Sequence, residues 1–184
     1  MHMMFNQMYI CRRLNFKVIR IFSVIMTVKI LGQNKTGTFC ATVSRTMMID
    51  SQVSDIWGIV GDYTGLANWV DGIEKTVSLS KVKNDFGAAR KIHFKDGAQV
   101  IEYAVGWKEN DHISYIATSG LPLQGYHATI SLTTRTKGTQ VKWSSFLISE
   151  SSDKIEFLQF LESMDIFYAK SLDRKSTRLN SSHT

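Results

Sequence analysis

Residues 90–107, RKIHFKDGAQVIEYAVGW, hold two runs of alternating residues around a Lys-Asp-Gly turn. Alternation with period two marks a half-buried β-strand, and Asp-Gly between two such runs marks a hairpin. In the first run Arg90 shares a side with Ile92 and Phe94, while Lys91, His93 and Lys95 take the other. The apolar side faces inward and carries Arg90 with it. The side taken by Glu102 depends on the turn. A two-residue Asp96-Gly97 loop pairs Lys91 with Glu102 at the surface, an ion pair of little worth. A three-residue Lys95-Asp96-Gly97 loop, with Gly97 in a left-handed bulge, pairs Arg90 with Glu102 inside. Asp-Gly suits both turns, so one residue of register decides between water and interior.

Outward from this hairpin the same period recurs. IEKTVSLSK, AARKIHFK, QVIEYAVGW, HISYIATS, YHATISLTT and TQVKWSSFLIS read as six strands, with turns at KNDFG, KDG, KENDH, GLPLQG and RTKG. Strands joined so closely form an antiparallel meander. Upstream, ATVSRTMMID (41–50) is a seventh strand. Val53, Ile56, Trp57 and Val60 then fall on one helical face, with Asp50 or Ser51 as cap and Gly61 as stop. Residues 64–69 fit a second short helix. Beyond Asp153, which suits a helix N-terminus, Ile155, Leu158, Leu161, Met164, Phe167 or Tyr168, and Leu172 make a wide apolar helical stripe. The fold class is α+β: a curved seven-stranded antiparallel sheet around a long C-terminal helix, with two short helices after the first strand. A long helix across a curved sheet leaves a hollow.

The chain of 184 residues, 43% hydrophobic, suits one domain. Its formal charge of +6 is concentrated at the ends. Residues 1–40 hold six Lys/Arg and no acid, and residues 173–184 hold three against Asp173, leaving 13 basic and 15 acidic side chains in residues 41–172. The patterned region is therefore not basic, and nucleic acid is not an expected partner. Residues 1–39 read as a leader outside the domain, a targeting peptide or a translated segment ahead of a start at Met26. The longest uncharged apolar run there lies between Arg20 and Lys29, too short to cross a bilayer. The location expected is the cytoplasm, or the mitochondrion if residues 1–25 are a transit peptide. Cys11 and Cys40 lie outside the patterned region and indicate no disulfide framework.

The sequence lacks HExxH, GxSxG, P-loop, GxGxxG and CxxC motifs, so no metal or other cofactor is expected. What remains are polar groups that alternation turns inward. Tyr126, Ala128, Ile130 and Leu132 share a side, as do Val141, Trp143, Ser145 and Leu147. With Tyr115 and Ala117 they can line an apolar pocket carrying a few hydroxyls; each aromatic also serves as plain core. His93 and His127 fall on outward sides.

The span from about Cys40 to Leu172 resembles the polyketide cyclase/dehydrase branch of the START-like (SRPBCC) superfamily. This is the helix-grip fold shared with pollen allergens and plant abscisic-acid receptors. The resemblance rests on SRTMMIDSQVSDIWGIVGDYTGLANWVDGIE, FGAARKIHFKDGAQVIEYAVGWKENDHISYIATSG, GYHATISLTT and TQVKWSSFLIS. These are diffuse signatures rather than a catalytic box. The resemblance implies a cavity between sheet and C-terminal helix for a small hydrophobic molecule, a lipid, hormone-like compound or aromatic metabolite. It favours an inward Glu102 and sets Trp69 and Asp62 near a cavity entrance. Trp69, Arg90, Ile92, Phe94, Glu102, Tyr115, Tyr126, Ala128 and Trp143 are the ligand-binding candidates. Arg90 and Glu102 are the catalytic candidates if the protein is a cyclase or dehydratase, and a self-satisfied buried pair otherwise. GLPLQG is a candidate lip, and no protein partner is named. The final DRKSTRLNSSH resembles a translated sequencing adapter, so residues 173–184 are expected to be an artefactual or disordered tail.

Overall fold

A computed structural model describes residues 25–181, with side chains of the C-terminal helix described as far as Leu172. Eight strands, β1 (Ile25–Gln33), β2 (Phe39–Ile49), β3 (Ile73–Ser78), β4 (Ala89–Phe94), β5 (Gln99–Lys108), β6 (His112–Ser119), β7 (Leu123–Arg135) and β8 (Gly138–Ser149), form one antiparallel sheet. Its order is β1-β2-β8-β7-β6-β5-β4-β3. The six-strand meander runs from one edge inward, and its last strand returns beside β2. Two helices complete the fold, α1 (Val53–Val60) and α2 (Lys154–Ser181), with a 3-10 turn at Gly65–Asn68 between α1 and β3.

The alternation places the core as expected. Tyr126, Ala128, Ile130 and Leu132 on β7, and Val141, Trp143, Ser145 and Leu147 on β8, are all buried. Register shifts at Ile101/Glu102 and Ala104/Gly106 interrupt the β5–β6 ladder; such bulges bend a strand and increase its twist. Across the sheet, α2 buries Phe157, Leu161, Tyr168 and Leu172, each contributing roughly 1.5–3 kcal/mol relative to exposure. Asp153 Oδ1 accepts the backbone N–H groups of Ile155 at 2.8 Å and Glu156 at 3.2 Å, capping the helix. The cap expected on α1 is absent: Gln52 holds the position without a side-chain bond, and Ser51 instead donates to Asp55.

The expected strand count is corrected. The sheet has eight strands rather than seven, because Ile25–Gln33, read as part of a leader, pairs with β2 along Ile25–Gln33 against Phe39–Thr46. Ile25, Val28 and Leu31 are exposed and a register shift falls between Ile30 and Gly32, so the short alternation of Met26, Val28 and Ile30 does not continue to the end of the strand. In addition, α2 continues to Ser181, so the backbone of the segment expected to be an artefactual or disordered tail is helical that far. The expected targeting or leader reading of residues 1–24, including Cys11, lies outside the described residues, as do residues 182–184. Among the described residues no helix is long and apolar enough to cross a membrane.

Candidate functional site

The β4–β5 turn takes the three-residue form. Phe94 donates its N–H to Ala98 O at 2.9 Å, Gly97 donates to Phe94 O at 3.0 Å, and Asp96 Oδ1 accepts from the Ala98 N–H at 2.9 Å. Gly97 has φ +92°, the left-handed region that glycine enters without strain. In this register Arg90 stands opposite Glu102, and Lys91 opposite Ile101. The hairpin therefore puts both charged groups on the buried side.

There the pair is tightly knit. Arg90 is 3% exposed and Glu102 5%. Arg90 Nε and Nη2 both donate to Glu102 Oε2, at 2.8 and 2.6 Å, while Nη1 donates to Tyr63 O at 2.7 Å. The guanidinium carbon also lies 3.9 Å from the centre of the Tyr63 ring and 5.2 Å from that of Tyr115, within cation–π range. Burial pushes the Glu102 carboxyl above its ordinary range, and Arg90 offsets this only in part. Burial acts to lower Arg90, but Glu102 and the two tyrosines outweigh it, and the guanidinium remains a cation. Each of the three Arg90 nitrogens is engaged, whereas Glu102 Oε1 lies outside the fork.

The pair borders a hollow of about 330 Å³ between the sheet and α2. Of the candidates taken from the sequence, Arg90, Ile92, Phe94, Glu102, Tyr115, Tyr126 and Trp143 line it. Two do not. Trp69 is buried behind the lining, its ring 5.6 Å from that of Trp143, and Ala128 is fully buried between Tyr115 and Ser145 in the sheet register. Asp62 accepts from Thr64 and from the Gly65 N–H, a turn residue.

The inner wall is held by bonds between side chains. Trp143 Nε1 donates to the Tyr115 hydroxyl at 2.8 Å, and the Tyr126 and Tyr168 hydroxyls are 2.9 Å apart. Trp143 and Tyr168 stack with centroids 4.3 Å apart. Burial raises the pKa of Tyr115, Tyr126 and Tyr168, keeping all three protonated at neutral pH. At the mouth stand exposed Asp96, Ala98, Gly120 and Ser163 and half-buried Leu121. Gly120, from the expected lip, has φ +92°, and a Cβ there would overlap Gln99 O, so the loop lies directly on β5.

Other lining residues were not foreseen: Leu66 from the 3-10 turn, and Phe160, Met164 and Phe167 from α2. The helical stripe contained Met164 and left Phe167 and Tyr168 as alternatives. The structure separates them, with Phe167 on the hollow and Tyr168 fully buried against Tyr126 and Trp143. Tyr63, which contacts Arg90 with both carbonyl and ring, lies in the aperiodic GDYTG turn and gave no signal. Among the described residues no cluster of His, Cys, Asp and Glu could hold a metal ion.

A family model described as polyketide cyclase / dehydrase and lipid transport matches residues 41–156. No curated protein sequence matches. Among solved structures, XoxI from Bacillus cereus is similar over 78% of this chain and 98% of its own, with 19% identity and a TM-score of 0.66. Norcoclaurine synthase from Thalictrum flavum, solved in complex with dopamine and hydroxybenzaldehyde, is similar over 87% of this chain and 97% of its own, with 16% identity and a TM-score of 0.61. Major latex-like protein 151 from Panax ginseng is similar over 71% of this chain and 97% of its own, with 15% identity and a TM-score of 0.55. At these identities the likeness is one of fold.

Proposed function

The chain belongs to the polyketide cyclase/dehydrase and lipid transport family, and from that premise we propose that it binds a small hydrophobic molecule in the hollow between the sheet and α2. The observation that carries this reading is a cavity of about 330 Å³, walled by aromatic and aliphatic side chains around one buried ion pair. Ligand sites have this composition, mostly apolar with a few placed polar groups. Residues 40–172 form the binding unit under this reading, with Arg90, Ile92, Phe94, Glu102, Tyr115, Tyr126 and Trp143 as contacts. An apolar aromatic metabolite or a short lipid suits the volume and lining.

Native mass spectrometry of the purified protein, followed by titration with aromatic and lipid compounds, tests the proposal. Saturable one-to-one binding is expected, and Ser163→Trp, which places an indole at the mouth from an exposed position on α2, should weaken it. Binding that is absent, or unaffected by Ser163→Trp, contradicts it.

One observation favours a second reading, a cyclase or dehydratase: Glu102 borders the hollow with Oε1 outside the Arg90 fork, where a general base could act. Glu102→Gln would then abolish turnover of a bound compound without releasing it. Undiminished turnover removes Glu102 from that role.

A further inference from the structure

The polar groups around the hollow are unevenly spent. Three of its lining residues are charged, Arg90, Glu102 and Asp96, so one cation faces two carboxylates. Arg90 is neutralised by Glu102 and also donates to Tyr63 O. A ligand carboxylate would have to share that guanidinium with Glu102 inside a low-dielectric wall, where like charges repel strongly. Most hydroxyl donors are spent within the protein: Tyr126 pairs with Tyr168 and Ser163 donates to Phe160 O, while Tyr115 accepts from Trp143 and keeps its own O–H. Among the described residues none donates to Glu102 Oε1. That atom is an acceptor on a buried side chain that borders an apolar chamber, and a second acceptor, the Asp96 carboxylate, stands at the mouth.

Resting on the cavity reading above, we infer that the ligand carries a polar head that donates a hydrogen bond, a hydroxyl or a protonated amine, and that carboxylate-headed molecules such as fatty acids are rejected. A donor head directed at Glu102 supplies the missing partner of Oε1 and leaves the Arg90 fork intact. An anionic head supplies no donor and adds a third negative charge. Sites that offer a buried hydrogen-bonding group discriminate strongly against ligands unable to pair with it.

The test holds the apolar body fixed and changes the head. Calorimetric titrations of the full-length protein at about pH 7 compare 2-naphthol, 2-naphthylmethylamine and 2-naphthoate. The first two are expected to bind about tenfold or more tightly than 2-naphthoate. Glu102→Gln removes the acceptor charge and leaves Arg90 unneutralised, so the order should reverse, with 2-naphthoate gaining about tenfold or more. If that variant does not fold, the wild-type series decides alone. Equal or tighter binding of 2-naphthoate by the wild type overturns the inference and leaves the cavity reading standing. Binding of none of the three overturns both.

Discussion

Two arginine–carboxylate pairs, one between neighbouring strands and one from the sheet to α2, are finished to different degrees. Arg90 and Glu102 meet across two neighbouring strands in a two-bond fork, with a third bond to Tyr63 O and a tyrosine ring against the guanidinium. Arg45 and Asp165 meet between β2 and α2 through one contact of 3.2 Å, and Arg45 Nε and Asp165 Oδ1 are buried without hydrogen-bond partners among the described residues. Taking two charges out of water is offset only when good geometry and further hydrogen bonds accompany the attraction. The first pair meets that condition at each Arg90 nitrogen and leaves only Glu102 Oε1 open, on the side of the hollow. The second leaves two polar atoms desolvated and uncompensated, so ion pairs of one chemical type differ in worth by how completely their remaining atoms are satisfied.

The largest expected effect comes from breaking the finished pair. Arg90→Ala leaves Glu102 buried without its cation and should cost about 3–5 kcal/mol in urea unfolding. A loss below about 1 kcal/mol would mean that water reaches the pair freely. Gly97→Ala acts through register. At φ +92°, with open space around a new Cβ, the cost is backbone strain of about 1 kcal/mol or more, read as a lowered unfolding midpoint.

Smaller effects are expected at the unfinished pair. Replacing both members by apolar residues, Arg45→Met with Asp165→Leu, should be neutral or stabilising by about 1 kcal/mol. A loss similar to that of Arg90→Ala would erase the contrast. Acid sharpens the same point. Burial raises the Asp165 carboxyl above its ordinary 3.8, and Arg45 offsets this only in part. The folded protein therefore holds this proton at a pH where the unfolded chain has lost it. The contribution of Asp165 to stability rises as pH falls from neutral through the folded value toward 3.8, and is level below that. The wild type should accordingly gain on Asp165→Asn as pH is lowered from about 7 to about 4, with urea unfolding at both pH values as the measurement.

The two pairs also differ in how far they could be read from sequence. Arg90 was legible because Ile92 and Phe94 fixed its side of the strand. Glu102 was half legible, since Asp-Gly permits two registers and only the bonds between Phe94 and Ala98 select one. The partner of Arg45 lies 120 positions away on a helix, and no local period points to it. Tyr63 was invisible for a related reason: an aperiodic turn can deliver a ring and a carbonyl to a core arginine only through the tertiary fold. The core faces of β7 and β8 followed from alternation alone. The eighth strand did not, because β1 is an edge strand with a register shift and exposed apolar residues at Ile25, Val28 and Leu31. Trp69 and Ala128 are buried without bordering the hollow, a depth that neighbouring side chains set and period does not.

The central claim is that the hollow beside Arg90 and Glu102 receives an apolar molecule. The most direct measurement is a titration of nitrogen-15-labelled protein with 2-naphthol, following the Arg90 Nε–H and Trp143 Nε1–H resonances. Both protons report from the cavity wall, and the account predicts saturable shifts of both. Unchanged resonances at these two groups, with shifts confined to exposed residues of α2 such as Ile155 and Ile166, would contradict it.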